Sequence, residues 1–367
     1  MVRAWTTSPD GRHHGAYTTE AARALGVPPD GFLDFSANIN PLGAPETALK
    51  AAHNALREEI GTYPDLEYTE LRASLADYLA VPGGTVLPTN GGAEALFLAA
   101  RAAVEGAEGS ALVLEPTFSE YAAAARAAGL EVEHVVARRP EDEFRLDFDI
   151  LDKALEDASG VRLVFICNPN NPTGEALSRA EVLRVAERVR GAGAILVVDE
   201  AFADFAPDIS VADEVCESLY VARSFTKFFA VPGLRLGCLV SHDVEHVRVF
   251  QPSWPVNAVA AAVGIAAARE EGFKEATLSK VEAGRGELLR ALGTLKGITV
   301  YSGAANFLLA RGPEWLPLRL ARRGILVRGC EPFVGLGPGF FRVAVRGAGE
   351  NGRLIAALRD VLREAAP

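Results

Sequence analysis

Along the first 80 residues, apolar positions recur at helical spacing in three places: Thr18–Leu25, 45–57 and 68–80. Apolar residues three and four apart share one helix face, so each stretch predicts an amphipathic helix. The rest of 1–44 reads as irregular. From residue 85 short apolar runs alternate with helical stretches. The runs 85–88, 111–115, 131–136, 163–167, 195–198, 219–222 and 234–240 predict strands. Helices are predicted from the Asn90 turn to 104, from Pro116 to 128, and from a capping Ser178 to 190. Continuously apolar strands alternating with helices predict an α/β fold, with a mostly parallel central sheet sandwiched by helices. After Pro255 the texture changes. A long helical region over 256–295, broken near Gly272, precedes strands at 299–301, 307–309, 325–328 and 341–345 and helices at 316–323 and 352–363. This predicts a smaller α+β domain formed by both chain ends. The expected division is 1–44 as a segment joining the small domain, 45–255 as the large domain, and 256–367 as the small domain with its linking helix.

At 367 residues the chain can bury a sizeable core, in about two domains. Its net charge of −11 argues against a nucleic-acid partner, which would need a basic face. Cys167, Cys216, Cys238 and Cys330 lie far apart and form no CxxC pair, so they read as reduced core residues of a cytoplasmic protein. The opening MVRAWTTSPDGRHH has no apolar signal core, and the run Ala258–Ala268 is too short to span a bilayer, so no membrane partner is expected. His13-His14 has no third ligand at useful spacing, so no metal is expected.

The candidate chemistry centres on Lys227. Lysine is scarce, six among 367 residues, and Lys227 is alone between Lys153 and Lys274. It sits between two strand-like runs, with Ser224, Thr226 and Arg235 nearby. A desolvated ammonium is costly unless paired or used covalently. Lys227 therefore reads as a Schiff-base lysine with a hydroxyl and an arginine beside it for a phosphate. A lysine snorkelling from a loop tip is the plainer alternative.

Other polar residues collect where α/β sheets bind ligands, at the carboxyl ends of strands. Gly91-Gly92-Ala93-Glu94 opens a helix and offers N–H groups to an anion; otherwise it is an ordinary helix start with Glu94 near the dipole. Asn171 follows a buried strand, or makes an Asx-turn before Pro172. Asp199 follows another, or serves as a cap or a paired core carboxylate. Phe118 follows Pro116 and can stack on a ring or simply pack. A pyridoxal cofactor needs a lysine, a carboxylate on the pyridine nitrogen, a donor at the ring oxygen, a stacking partner and anion contacts for its phosphate. Lys227, Asp199, Asn171, Phe118, and the set Gly92, Ala93, Ser224 and Arg235 fill those roles in turn.

Competing motifs fail. Ser224-Phe-Thr-Lys227 fits the S-x-x-K of serine acyl-transfer enzymes, but K-T-G is absent and this serine follows a strand instead of opening a helix. Residues 347–352 fit G-x-G-x-x-G, but no β-α-β unit follows. A regulator built on such a fold would need a basic helix-turn-helix segment, which the acidic balance does not supply.

NPNNPTG (168–174), VVDEAF (197–202), SFTKFFAVPGLRLG (224–237) and FRVAVR (341–346), in that order, resemble the fold-type I pyridoxal-phosphate aminotransferases over nearly the whole chain. Two families within that group compete: the histidinol-phosphate aminotransferases and the L-threonine-O-3-phosphate decarboxylases. His14-Gly15, LDFSANINPLG (33–43), DEAFADF (199–205), WPVNA (254–258), ILVRGC (325–330) and GLGPGFFRVAVR (335–346) are more similar to the decarboxylases. The resemblance implies the transferase fold and bound pyridoxal 5'-phosphate. It implies substrate contacts from His14, Gly15, Asn38, Asn171, Arg328 and Arg342. Arginines suit carboxylate and phosphate through paired hydrogen bonds; surface salt bridging is the plainer alternative. It further implies a small phosphorylated amino-acid substrate, decarboxylation of O-phospho-L-threonine to (R)-1-aminopropan-2-yl phosphate for cobalamin synthesis, and a homodimer in which Tyr63 reaches the other subunit's cofactor phosphate. Transamination of histidinol phosphate is the alternative. Two departures stand out. His14-Gly15-Ala16-Tyr17 replaces the family's His-Gly-Gly-Asn, and Phe202 stands where many aminotransferases have a tyrosine donating to the ring oxygen.

Overall fold

The computed structural model describes residues 15–364 apart from 105, 107, 159 and 207. His14 therefore lies outside the described residues. A short strand, β1 (Leu33–Asp34), lies in the N-terminal segment. Then β2 (Val86–Asn90), β3 (Ser110–Glu115), β4 (Glu131–Val136), β5 (Val161–Cys167), β6 (Ile195–Asp199), β7 (Leu219–Ser224) and β8 (Leu236–Val240) form one sheet in the order β2-β8-β7-β6-β5-β3-β4. Neighbours are parallel except at β8, which runs against both β2 and β7.

Strand side chains alternate between faces. Leu196 and Val198 of β6 join one core, with helices Thr69–Leu79, Arg179–Gly191 and Ala258–Ala268; Val197 joins the other, with helices Gly91–Val104 and Glu120–Ala127. Both faces are thus covered by helices, which is why these strands are apolar throughout instead of alternating.

A separate antiparallel sheet is built from β9 (Thr299–Val300), β10 (Phe307–Arg311), β12 (Arg328–Gly329) and β13 (Phe340–Ala344), in the order β12-β13-β10-β9. The strand β11 (Ile325–Leu326) pairs in parallel with β1 instead. Leu33 and Phe35 enter the core of this second sheet, beside Leu308, Val343 and the helices Phe273–Gly293 and Ala348–Glu364.

The helical region after Pro255 breaks near Gly272 as expected, the first helix ending at Ala268 and the second starting at Phe273; Gly272 between them holds φ +74°, a backbone that glycine adopts without a Cβ penalty. Other elements differ from expectation. The strand expected over 325–328 divides, because Leu326 pairs with β1 while Arg328 pairs with β13. The final helix begins at Ala348, so two of the G-x-G-x-x-G glycines lie inside a helix. Three cysteines are buried, but Cys216 is exposed and is no core residue. Among the described residues no helix is long and apolar enough to cross a membrane.

Candidate active site

The carboxyl ends of β5, β6 and β7 open onto a cavity of about 470 Å³. Lys227 projects into it from the turn after β7, where Nζ donates to Ser224 Oγ at 3.3 Å and lies 5.3 Å from the Phe202 ring centroid. Burial lowers the pKa of this amine, against the pull of Asp199; Arg235 and Arg342 push the same way as burial.

Asp199 ends β6. Its Oδ2 accepts from the Tyr121 hydroxyl at 2.7 Å and its Oδ1 from the Ala201 N–H at 2.9 Å. Burial raises this carboxyl above the ordinary range, opposed by Lys227, Tyr121 and Ala201, which favour the anion. Tyr121 is held by stacking on Phe165 at 5.3 Å between ring centroids, and Phe118 meets it edge-on at 5.8 Å while lining the cavity.

The helix Gly91–Val104 points its first turn at the same cavity, lined by Gly92 and Ala93. Glycine here is a steric requirement. A Cβ on Gly91 would lie 2.6 Å from Arg235 Nη2, and one on Gly92 2.9 Å from the Ser224 Cβ. Gly91 also holds φ +78°. Helix N–H groups, a hydroxyl and a guanidinium brought this close make a cradle suited to a phosphate.

The opposite wall comes from the chain ends. Arg342 on β13 is buried; its Nη1 donates to Asn171 Oδ1 and its Nη2 to the Ser36 carbonyl at 3.0 Å. With its amide oxygen facing Arg342, Asn38 accepts from both terminal nitrogens at 3.1 and 3.2 Å. Arg328 stands opposite Arg342 in the β12–β13 register and lines the same cavity. Burial lowers the pKa of both guanidinium groups. Gly15 packs so closely that a Cβ would sit 2.2 Å from the Ser36 carbonyl oxygen, and Ala16 beside it holds φ +59°. Lys227, Arg235, Arg328 and Arg342 line this cavity against two carboxylates, Asp199 and Glu120, so it suits a ligand carrying several negative charges.

Of the residues assigned cofactor or substrate contacts from the sequence, those described all line this cavity except Tyr63. That residue is 78 % exposed and stacks on Trp254 at 4.4 Å between centroids. The sequence reading missed Tyr121, which lies three residues after Phe118, in the first turn of the helix Glu120–Ala127. It also missed a buried cluster on the far side of the sheet. There Arg223 donates to Glu200 at 2.7 Å and to Asp204 at 2.6 Å, directly behind Ser224 and Asp199. The signal available was an arginine inside an apolar run.

A lysine, a carboxylate, an amide, an aromatic face and an anion cradle at the ends of a mostly parallel sheet are the parts of a pyridoxal-phosphate site. The chain belongs to the family "Aminotransferase class I and II", which matches residues 30–359, and it is a pyridoxal-phosphate-dependent enzyme. Threonine-phosphate decarboxylase from Salmonella typhimurium is 38% identical over 363 residues, covering 96% of this chain and 98% of that protein. Histidinol-phosphate aminotransferase 1 from Cupriavidus pinatubonensis is 33% identical over 365 residues, covering 95% and 93%. The crystal structure of L-threonine-O-3-phosphate decarboxylase from Porphyromonas gingivalis superposes with a TM-score of 0.77 at 25% identity, covering 90% of this chain and 99% of that one.

Proposed function

We propose that the protein decarboxylates O-phospho-L-threonine, yielding CO2 and (R)-1-aminopropan-2-yl phosphate for cobalamin synthesis. The observation that carries this is the pair of buried arginines, Arg328 and Arg342, entering one cavity from adjacent strands. Two guanidinium groups suit a substrate with a phosphate and a carboxylate. The similarity to a threonine-phosphate decarboxylase supports the same reading. The similarity to a histidinol-phosphate aminotransferase keeps transamination as the second reading.

The cavity fits the cofactor. Gly92, Ala93, Ser224 and Arg235 would hold its phosphate, Asp199 its ring nitrogen, Asn171 its ring oxygen, Phe118 its face and Lys227 its aldehyde carbon. Bound there, pyridoxal phosphate supplies an electron sink for a bond broken at the substrate Cα. Asp199, whose anion Tyr121 and Ala201 favour against burial, would hold a proton on the ring nitrogen. Arg342, braced by Asn38, Asn171 and the Ser36 carbonyl, fixes one anionic end of the substrate, and Arg328 the other. Which Cα bond breaks depends on which is held perpendicular to the ring, and these two arginines set that orientation. Lys227, its ammonium weakened by burial, exchanges a proton at Cα. The enzyme works as a homodimer in this proposal, with Tyr63 contributed to a second copy's phosphate cradle.

The test is direct. Purified enzyme given O-phospho-L-threonine should release CO2. Glutamate formed from histidinol phosphate and 2-oxoglutarate, with no CO2 from O-phospho-L-threonine, would assign the aminotransferase instead. Lys227→Ala should lose the borohydride-reducible colour.

A further inference from the structure

Asn40 is buried and stands outside the cavity lining, yet it makes five hydrogen bonds, one of them its carbonyl accepting from the Gly43 N–H at 3.1 Å. Its N–H donates to the Lys227 carbonyl at 3.0 Å. Its Nδ2 donates to the Phe228 carbonyl at 2.7 Å and to Thr277 Oγ1 at 2.8 Å. Its Oδ1 accepts from the Leu42 N–H at 2.9 Å. One side chain thus ties the N-terminal segment, the lysine turn and the helix Phe273–Gly293 together.

The segment that ends at Asn40 begins on the other sheet. The Phe35 N–H donates to the Leu326 carbonyl at 2.7 Å, and the Phe35 carbonyl accepts from the Ala344 N–H at 3.0 Å. Ala344 lies two residues beyond Arg342 on the same strand. Between the two anchors, the Ser36 carbonyl and the Asn38 amide grip the Arg342 guanidinium. A strap over residues 35–40 therefore runs from the arginine that faces the substrate to the main chain of the lysine.

We propose that Asn40 is a positioning residue that couples occupancy of the Arg342 anion site to the placement of the Lys227 amine. The inference rests on the reading of Lys227 as the residue that holds the cofactor. Movement of the strap, when an anion engages Arg342, reaches Lys227 through the bonds to its own carbonyl and to that of Phe228. The charged and titratable groups around the Lys227 amine are Asp199 from β6, Arg235 before β8, Arg342 from β13 and Cys167 from β5. Asn40 carries no charge. A change in the titration of the lysine on substituting it therefore reports geometry and not a lost Coulomb contact.

The experiment uses the cofactor-loaded enzyme and follows its visible absorbance against pH. It is run without ligand, with 3-phosphonopropionate, and with succinate; both probes are anions with no amine to react. In the wild type at least one probe should shift the midpoint. In Asn40→Ala the ligand-free midpoint should move by about half a pH unit, a modest fraction of a typical perturbation. The probe-induced shift should fall by half or more, and kcat should drop more than KM changes. Thr277→Val, which removes one acceptor from the same amide, should move the midpoint less and in the same sense; it decides the matter by the same readings if Asn40→Ala does not retain cofactor. Unchanged midpoints and probe shifts, with only a lowered Tm, overturn the coupling, as does a wild type that neither probe moves. A response to succinate alone keeps the coupling and counts against a phosphorylated substrate. A wild type that takes up no cofactor overturns the reading of Lys227, and this inference with it.

Discussion

At Asp199 one of two donors, the Tyr121 hydroxyl, comes from 78 residues away in sequence. Tyr121→Phe keeps the ring stacked on Phe165 and removes that donor alone. The bond favours the anion, so its loss raises the Asp199 pKa further. The acid limb of the kcat–pH profile should then move to higher pH. A bond to a charged group contributes roughly 1.5–3 kcal/mol, so kcat should fall about tenfold or more at neutral pH. A variant with wild-type kcat and an unmoved acid limb would show that Tyr121 only packs. This residue also marks a limit of sequence reading. Lys227, Asp199 and Asn171 are legible because each follows a strand and carries chemistry out of keeping with its apolar frame. Tyr121 and Asn40 work through hydrogen bonds to distant chain, and nothing local announces such a partner.

Among the elements, the helix Arg179–Gly191 was readable from its cap. Ser178 Oγ accepts from the Glu181 N–H at 3.3 Å, and the Glu181 carboxylate accepts from the Ser178 N–H at 2.8 Å. Ser178→Ala should cost about 1 kcal/mol, read as a lower midpoint in thermal or denaturant unfolding. The bonds from Ser178 hold the Glu181 pKa below its ordinary value. A depressed carboxyl contributes stability in full above its unfolded pKa, near 4.3, and loses it as pH falls through the folded value. The gap between wild type and Ser178→Ala should therefore narrow slightly below about pH 4; a gap constant from pH 7 to 3 would show that the Glu181 carboxylate adds nothing to the cap beyond the Ser178 Oγ bond. Glu181 is mostly exposed, so screening keeps its share of that gap small. The helix Phe148–Asp157 was not read, although Asp147 caps it with bonds from Asp149 and Ile150 at 3.0 and 3.1 Å. The split of 325–328 was not readable at all, since three apolar residues and an arginine carry no mark of which residue pairs with which sheet.

For the molecule as a whole, net charge and site charge oppose each other. The chain carries −11, while its cavity gathers lysine and arginine for anions. Screening over about 8 Å at physiological salt lets the local cluster prevail over the distant surface. The same scale governs the proposed dimer. Large apolar side chains stand exposed along one stretch: Leu49, Leu56, Ile60, Tyr63 and Leu66. Leu49 and Leu56 are seven apart on the helix Glu46–Glu58 and so share a face. Trp254 extends the patch by stacking on Tyr63 and donating to the Pro64 carbonyl at 3.2 Å. Apolar residues grouped this way mark an interface more often than a free surface. If Tyr63 serves the other copy's cofactor, the two defects Lys227→Ala and Tyr63→Ala fall in the same site of a mixed dimer and leave its other site intact. Co-expressed in equal amounts, differently tagged, they should give about a quarter of the sites intact, because half of randomly paired dimers are mixed and each repairs one site. Each variant alone should be impaired, and purification through both tags should enrich the recovered activity. A wild type that sediments as a monomer at micromolar concentration, or mixed dimers no more active than Tyr63→Ala alone, would place Tyr63 outside the site. Leu56→Glu, which does not line the cavity, should weaken the association and lower activity only at low protein concentration, since dilution acts on the shared site and not on the chemistry within it.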